Sequence, residues 1–275
     1  MNVKDGFLER IGLPDSRLKK KAADMYHTTG MTTTQITELA AHIHDFHNGP
    51  IPTCPPSIKM FRAIQITATY WRSNRTQEDL AETFGTSQPT ISRVIDAVTT
   101  TLKRLLSQCC PLPEDLSADA VYVIDGTLLP CWSWRDHREL YSGKHKTTGY
   151  NIQIAVTLNG TLAWVSDPVD GSRHDMHALA ESQLLEGLDL SQWIGDKGYI
   201  GAGIHTPTRK PTSRDLTETE KATNTAIHKI RWIVERGVAH IKNWKILTHD
   251  YRRPLKTFRD TISAVIGLHF HLQAG

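Results

Sequence analysis

The stretch VYVIDGT, Val121 to Thr127, decides how the second half of this 275-residue chain is read. Val121, Tyr122, Val123 and Ile124 are apolar on both faces of a period-2 strand, which suits a central strand covered on both sides. The run then ends in a bare carboxylate, Asp125, followed by Gly126. Open α/β sheets place their ligands at the carboxyl ends of strands, and a glycine there frees the backbone to turn away. Asp125 is therefore either a ligand at a strand end or the opening residue of a turn, and the rest of the chain has to discriminate.

Toward the C-terminus, VYVIDGTLLPCW reads as a first strand, and NIQIAVTLNGTLAWVSDPV as two apolar runs around an Asn-Gly turn, a strong hairpin signal. HDMHALAESQLLEGL reads as a helix. SQWIGDKGYIG reads as another strand and repeats the first puzzle, with Asp196 at a strand end beside glycine. After a basic, proline-containing loop, TETEKATNTAIHKIRWIVERGVAHIKNW predicts a long helix and TFRDTISAVIGLHFHLQ a last one. This is the order of a mixed α/β domain, without internal repeats or low-complexity tracts.

Toward the N-terminus the chain reads helical. PLPEDLSADA, Pro111 to Ala120, is a proline-rich, acidic linker that marks a domain boundary. Before it lies RTQEDLAETFGTSQPTISRVIDAVTTTLKRLL. Thr76 is a good N-cap with Asp79 three residues on as an approximate capping box. Leu80, Ala81 and Phe84 form the apolar face of a short helix that Gly85 ends. Ser87 caps the next helix, with Pro89 in its first turn and Ile91, Val94, Ile95 and Val98 on its apolar face. Two helices joined through such a Gly turn make a helix-turn-helix. There the second helix enters the DNA major groove led by its N-terminal residues, here Gln88, Thr90, Ser92 and Arg93, all able to reach base edges or phosphates. An ordinary helical hairpin in a bundle is the plainer alternative. Further upstream, IKMFRAIQITATYWRS and TTTQITELAAHIHDFHN read as helices, the latter capped in Thr32 to Thr34. GPIPTCPPS breaks the chain between them with four prolines, and SRLKKKAADMYHTTG reads as a basic first helix.

The bulk properties are those of an ordinary water-soluble protein, 39% hydrophobic and 22% charged, with a formal net charge of +3. From His205 to Arg259, however, 13 Lys and Arg stand against five Asp and Glu, a local excess of +8. Such concentration is the footprint of a polyanionic partner, unless it is only a solvated surface. Four cysteines without C-x-x-C spacing make no disulfide scaffold. With no signal peptide and no apolar run of membrane length, an intracellular, reducing setting is expected. His42, His44 and His47 sit on one helix in poor geometry for a zinc site with Cys54, and no paired cysteines support one.

In HKIRWIVERGVAHIK, His228, Arg231, Glu235 and Lys242 share one helix face. Ile230, Val234, Val238 and Ile241 form a neighbouring apolar stripe. Taken alone, Arg231–Glu235 is a surface ion pair worth about 0.3–0.5 kcal/mol. Two strand-end aspartates and an inward glutamate read differently. Three converging carboxylates repel one another, and one would be forced to take up a proton. Divalent cations remove that problem, and hard oxygen ligands select Mg²⁺ or Mn²⁺. Two such ions about 3.5–4 Å apart can activate a water or 3′-hydroxyl and stabilise the leaving oxygen. With a helix-turn-helix and a basic region, this points to phosphodiester chemistry on DNA. No Gly-rich nucleotide loop supports a small-molecule α/β enzyme.

The order of motifs resembles the DDE transposases of bacterial insertion sequences and their Harbinger-type relatives, from about Pro56 to the C-terminus. The matching segments are VIDGT around Asp125, GDKGY around Asp196 and the helix signature Arg-x3-Glu-x6-Lys on Arg231, Glu235 and Lys242. The resemblance implies a ribonuclease H-like catalytic fold in which Asp125, Asp196 and Glu235 bind two Mg²⁺ (or Mn²⁺). It also implies cleavage at inverted-repeat ends followed by attack of the freed 3′-OH on target DNA. One residue departs from the pattern: the signature usually opens with Tyr, and here that place is His228. GSRHD, Gly171 to Asp175, resembles a family segment that opens a helix; Asp175 reads as its cap, with His174 or Asp175 as a possible border of the site. Lys144 and Lys146 in GKHKTTGYNIQ are either phosphate contacts or solvated lysines.

The expected architecture is thus an N-terminal all-helical region and an α/β domain, α + α/β in class. Residues 1–55 form a helical extension, 56–110 the helix-turn-helix region and 118–275 the ribonuclease H-like catalytic domain. The expected function is a DNA transposase that binds terminal inverted repeats, then cuts and joins DNA with Mg²⁺. Partners are double-stranded transposon ends and target DNA, in a homodimer or larger assembly, with no membrane, in the bacterial cytoplasm at the nucleoid. The rivals are a domesticated DNA-binding regulator and a DDE-type nuclease that cuts without joining.

Overall fold

The computed structural model describes residues 25–132, 137–249 and 251–274. Its elements run α1 (Tyr26–Thr29), α2 (Thr33–His47), α3 (Met60–Ser73), α4 (Gln77–Phe84), α5 (Gln88–Leu105), β1 (Tyr122–Pro130), β2 (Tyr141–Ser142), β3 (Thr147–Thr157), β4 (Leu162–Val165), β5 (Val169–Asp170), α6 (Asp175–Ser182), β6 (Trp193–Ile194), α7 (Glu218–Lys242) and α8 (Phe258–Ala274), with short 3₁₀ turns between. Of the expected basic first helix only its last turn, α1, falls within the described residues; the remainder lies outside them. The described chain divides into two compact units: residues 25–109, 244–249 and 256–274 form one, and the rest form the other.

The helical unit is organised around α3, which buries residues on nearly every side, from Met60 and Phe61 to Tyr70 and Trp71. A helix apolar all round belongs in the middle of a bundle. Thr32 and Gln35 close a reciprocal capping box at the start of α2. The Thr76 hydroxyl accepts from the Asp79 N–H at 3.2 Å and so starts α4. Asp79 does not complete a box there, because Arg75 holds its carboxylate. Gly85, at φ +59°, ends α4 in the left-handed conformation that glycine adopts without strain. Helix α5 follows with Ile91, Val94, Ile95 and Val98 buried. Helix α8, expected with the sheet, packs instead in this unit. Its Lys103–Asp260 ion pair with α5 spans 2.5 Å, and Gly267 admits the Leu106 backbone close to the helix. Phe258, Ile262, Val265 and Leu268 supply the buried face that makes this packing favourable.

The second unit is a mixed sheet in the order β2-β3-β1-β6, with β4 and β5 also paired to β3. Strands β1 and β3 are antiparallel in continuous register from Tyr122↔Thr157 to Pro130↔Gly149. Strand β6 runs parallel to β1 over only Tyr122↔Trp193 and Val123↔Ile194. Val121 to Thr127 taken alone puts Asp125 at the end of β1, whereas VYVIDGTLLPCW reads as one strand. In the structure the strand continues through Asp125, which pairs with Ile154 as Gly126 does with Gln153. Pairing with β3 keeps the backbone extended, so Gly126 does not turn the chain. What ends near Asp125 is the pairing with β6.

Side chains alternate between the faces of a strand, and this sorts the layers. Ala155 belongs to a core with Ile124, Trp164, Leu179, Leu184 and Tyr199, where Tyr122 stacks on Trp193 at 4.9 Å. Helix α6 lies on that face. Helix α7 lies on the other, against Ile154 and Val156, at Gly237. Its buried residues are Ile227, Ile233, Val234, Gly237 and Ile241. The stripe therefore centres on Gly237 rather than on the expected Ile230 and Val238, which are only half-buried.

Candidate active site

Position 125 faces α7 because it shares a pleat with Ile154, whereas position 126 faces α6. Asp125 Oδ2 lies 3.6 Å from Arg231 Nη2, and Asp196 Oδ2 lies 3.8 Å from the same nitrogen. One guanidinium thus stands between two carboxylates that come from β1 and from the turn after β6. Both carboxylates are also fixed locally. Asp125 Oδ1 accepts from the Gly126 N–H at 2.9 Å, and Asp196 Oδ1 from the Gly198 N–H at 2.6 Å. Burial pushes the Asp125 carboxyl above its ordinary value and the Asp196 charge adds to this. Arg231, the Gly126 N–H and Lys144 offset the rise only in part. A buried carboxylate in this condition gains from a further cation.

Asp196, Lys197, Asn224, His228, Lys229 and Arg231 line an open cleft of about 610 Å³. Its lining sets one carboxylate, Asp196, among Lys197, Lys229 and Arg231. Asn224 fastens the preceding loop to α7 by exchanging two hydrogen bonds with the Thr208 backbone, at 2.8 and 3.0 Å. Lys197 and Lys229 had been read only as part of GDKGY and of the basic region. The tertiary structure sets both in this cleft.

Glu235 follows Arg231 by about one turn of α7, and His228, Arg231, Glu235 and Lys242 fall within an arc of about 60°. The shared face is therefore real, but Glu235 is exposed and forms no ion pair with Arg231, whose guanidinium is committed to the aspartates. Among the described residues no three His, Cys, Asp or Glu side chains gather closely enough to hold a metal ion. The structure thus brings together two of the three expected carboxylates. Those two fit a hard divalent cation in donor type, being oxygen ligands already facing one positive charge. His228 and Lys242 are exposed, as are Lys144 and Lys146 in the turn before β3.

Asp175 was read as the cap of α6. The cap position belongs to His174, whose side chain makes no capping bond. Asp175 is the first residue of the helix, and its carboxylate turns inward to Lys144 Nζ at 3.0 Å and Asn151 Nδ2 at 3.2 Å. Desolvation lowers the Lys144 ammonium, but the hydrogen bond to Asp175 and the charges of Asp175, Asp125 and Asp196 outweigh it and hold the pKa above the ordinary lysine value. The only sequence signal for Asp175 was the GSRHD segment.

In the helical unit, Gln88, Ser92 and Arg93 open α5 with side chains at least partly exposed. Gln88 Nε2 donates to Gln77 Oε1 at 2.6 Å and so braces α5 against α4. Thr90 differs: it is buried, and its hydroxyl bonds Ser87 Oγ at 3.0 Å. Thr90 sets the helix start, and the exposed face belongs to Arg93 and its neighbours.

A helical unit with a helix-turn-helix and a ribonuclease H-like mixed sheet carrying paired aspartates is the architecture of the DDE endonuclease class. Comparison with known proteins gives the family. Residues 124–269 match the DDE superfamily endonuclease family, and residues 61–108 the helix-turn-helix of DDE superfamily endonuclease. A candidate transposase for insertion sequence element IS112 of Streptomyces albus G is 30% identical over 195 residues, 70% of this chain and 73% of that one. A second relative, assigned as a transposase for insertion sequence element IS702 of Microchaete diplosiphon, is 23% identical over 224 residues, 78% of this chain and 81% of that one. The chain belongs to the DDE superfamily endonucleases, among the transposases. No helix among the described residues is long and apolar enough to cross a membrane.

Proposed function

We propose that this protein is a transposase that binds the terminal inverted repeats of its element, cleaves DNA there and joins the freed 3′-OH to a target. The observation that supports it most is the convergence of Asp125 and Asp196 on the Arg231 guanidinium, on the sheet of a DDE-family chain. Asp125, Asp196 and Glu235 would hold Mg²⁺ or Mn²⁺, two ions in the full site, with Glu235 joining from the face of α7 that carries Arg231. When bound, the metal would polarise the attacking oxygen and stabilise the leaving one.

The chain's own residues do the rest. Lys144, Lys146, His228, Arg231 and Lys242 would meet phosphates of the bound DNA, and Arg231 would balance the charge of the aspartates while they wait for metal. Gln88, Ser92 and Arg93 would select the DNA end, with Thr90 fixing the helix that presents them. A chain that must hold two ends and a target is expected to work as a homodimer or larger assembly at the nucleoid.

The test is cleavage of duplex DNA from the two flanks of the gene, with a scrambled control, in Mg²⁺ or Mn²⁺. Cuts at the flanks that need metal and are lost in Asp125→Ala and Glu235→Ala are expected. Tight end binding without cleavage under any metal would leave a regulator; sequence-independent nicking would leave a nuclease that does not join.

A further inference from the structure

The two glycines beside the paired aspartates share one neighbour. A Cβ at Gly126 would lie 2.5 Å from Asp175 Oδ1, and one at Gly198 would lie 3.4 Å from Asp175 Oδ2. Neither glycine has a left-handed backbone, so conformational freedom does not explain them here. Gly126 leaves the space that Asp175 fills, whereas a Cβ at Gly198 would first meet Asp196 Oδ1, at 2.8 Å. The Asp175 carboxylate is only 15% exposed and ends a polar chain through the core. Tyr199 Oη donates to Gln153 Oε1 at 2.5 Å, Gln153 Nε2 to Asn151 Oδ1 at 3.3 Å, and Asn151 Nδ2 to Asp175 Oδ1 at 3.2 Å. Tyr199 and Gln153 are fully buried and Asn151 nearly so. A satisfied buried chain of this kind holds its members in one arrangement.

The polar chain ends on a cation. Lys144 Nζ bonds the other oxygen of Asp175, and the lysine side chain is 60% exposed. An ammonium has three donors, so a single bond to Asp175 leaves it able to meet a further acceptor. We propose that Asp175 is a positioning residue: locked by Asn151 and seated in the space that Gly126 leaves, it holds the Lys144 ammonium beside Asp125 and Asp196 to clamp the phosphate of the DNA strand being cut. This rests on the cleavage reading above.

Three measurements on the full chain test it with the flanking-end duplex. In single-turnover cleavage, Lys144→Ala and Asp175→Asn are each expected to be slowed by roughly 10–100-fold, the order that misplacing a reacting group costs. The double variant is expected to be no slower than the slower single, because both remove one clamp. In EDTA, Lys144→Ala is expected to lower the slope of log K against log salt by about 0.9, one phosphate contact. Lys144→Arg is expected to recover part of the rate, since it keeps a cation that Asp175 can hold. Wild-type cleavage in Asp175→Asn, multiplying effects in the double variant or an unchanged salt slope would each overturn the assignment. Lys144 is exposed, so its variants keep the test decisive if Asp175→Asn does not fold. Asp125→Ala serves as the separate control: if it still cuts, the cleavage reading itself fails.

Discussion

Gly237→Ala sets two effects of known size against each other. Gly237 lies mid-helix in α7, where replacing glycine by alanine gains about 0.8–1.0 kcal/mol of helix propensity. In this position a methyl would overlap Val156 Cγ1 on β3. Val156 is fully buried and β-branched, so its rotamer cannot move aside cheaply. Overpacking of this kind costs about 1–3 kcal/mol, and the net expectation is a loss of about 0–2 kcal/mol. At about 2–4 °C per kcal/mol for a unit of this size, the melting temperature should fall by no more than about 8 °C, leaving a folded protein. Activity should suffer more. Relief requires α7 to lift off the sheet, and α7 carries Arg231 and Glu235 while the sheet carries Asp125. A shift near 1 Å in such a site costs about 100-fold. Melting and end-cleavage assays would therefore show a modest stability change and a large rate loss. Val156→Ala in the same chain removes the overlap and should restore cleavage in part. A Gly237→Ala protein that melts higher and cuts at the wild-type rate would refute the close approach of α7 to β3.

Other consequences are as direct. Arg93→Ala should weaken binding to the flanking DNA and reduce its salt slope by about 0.9, whereas Thr90→Ala should chiefly lower the melting temperature by loosening the start of α5. Binding assays that rank Thr90→Ala below Arg93→Ala would reverse the roles given to them. The Glu220 carboxyl is held down to about 2, first by its Arg214 hydrogen bond and then by the Thr217 N–H. A carboxyl depressed in the folded state contributes stability that is complete above its unfolded value, near 4.3, and is lost as pH falls toward 2. Glu220→Gln should therefore flatten the stability change between those limits, and equal acid titrations of the two proteins would disprove the cap's contribution. Asp196→Ala should abolish cleavage while leaving flanking-DNA binding through α5 largely intact, as read by anisotropy in EDTA.

Where local chemistry fixes the outcome, the sequence alone was sufficient. The Thr76 cap, the left-handed Gly85 and the apolar spacing of α5 each depend on neighbours within a few residues, and all are present in the structure. The same holds for the hairpin around Asn159-Gly160 and for the long α7. The order of Asp125, Asp196 and the Arg231–Glu235 helix was likewise readable, since each rides on a recognisable element. Partner choice was not readable. Continued pairing with β3 carries β1 through Asp125, and nothing within the heptapeptide announces that pairing. Helix α8 has an apolar face that would suit several partners; contact with α5 decides for the helical unit. Gly126 in VIDGT looked like a turn residue, yet it makes room for Asp175, dozens of positions away. Patterning and capping are short-range and survive in one dimension. Excluded volume, sheet register and the meeting of charges depend on which distant segments come together, so only the folded chain could settle them.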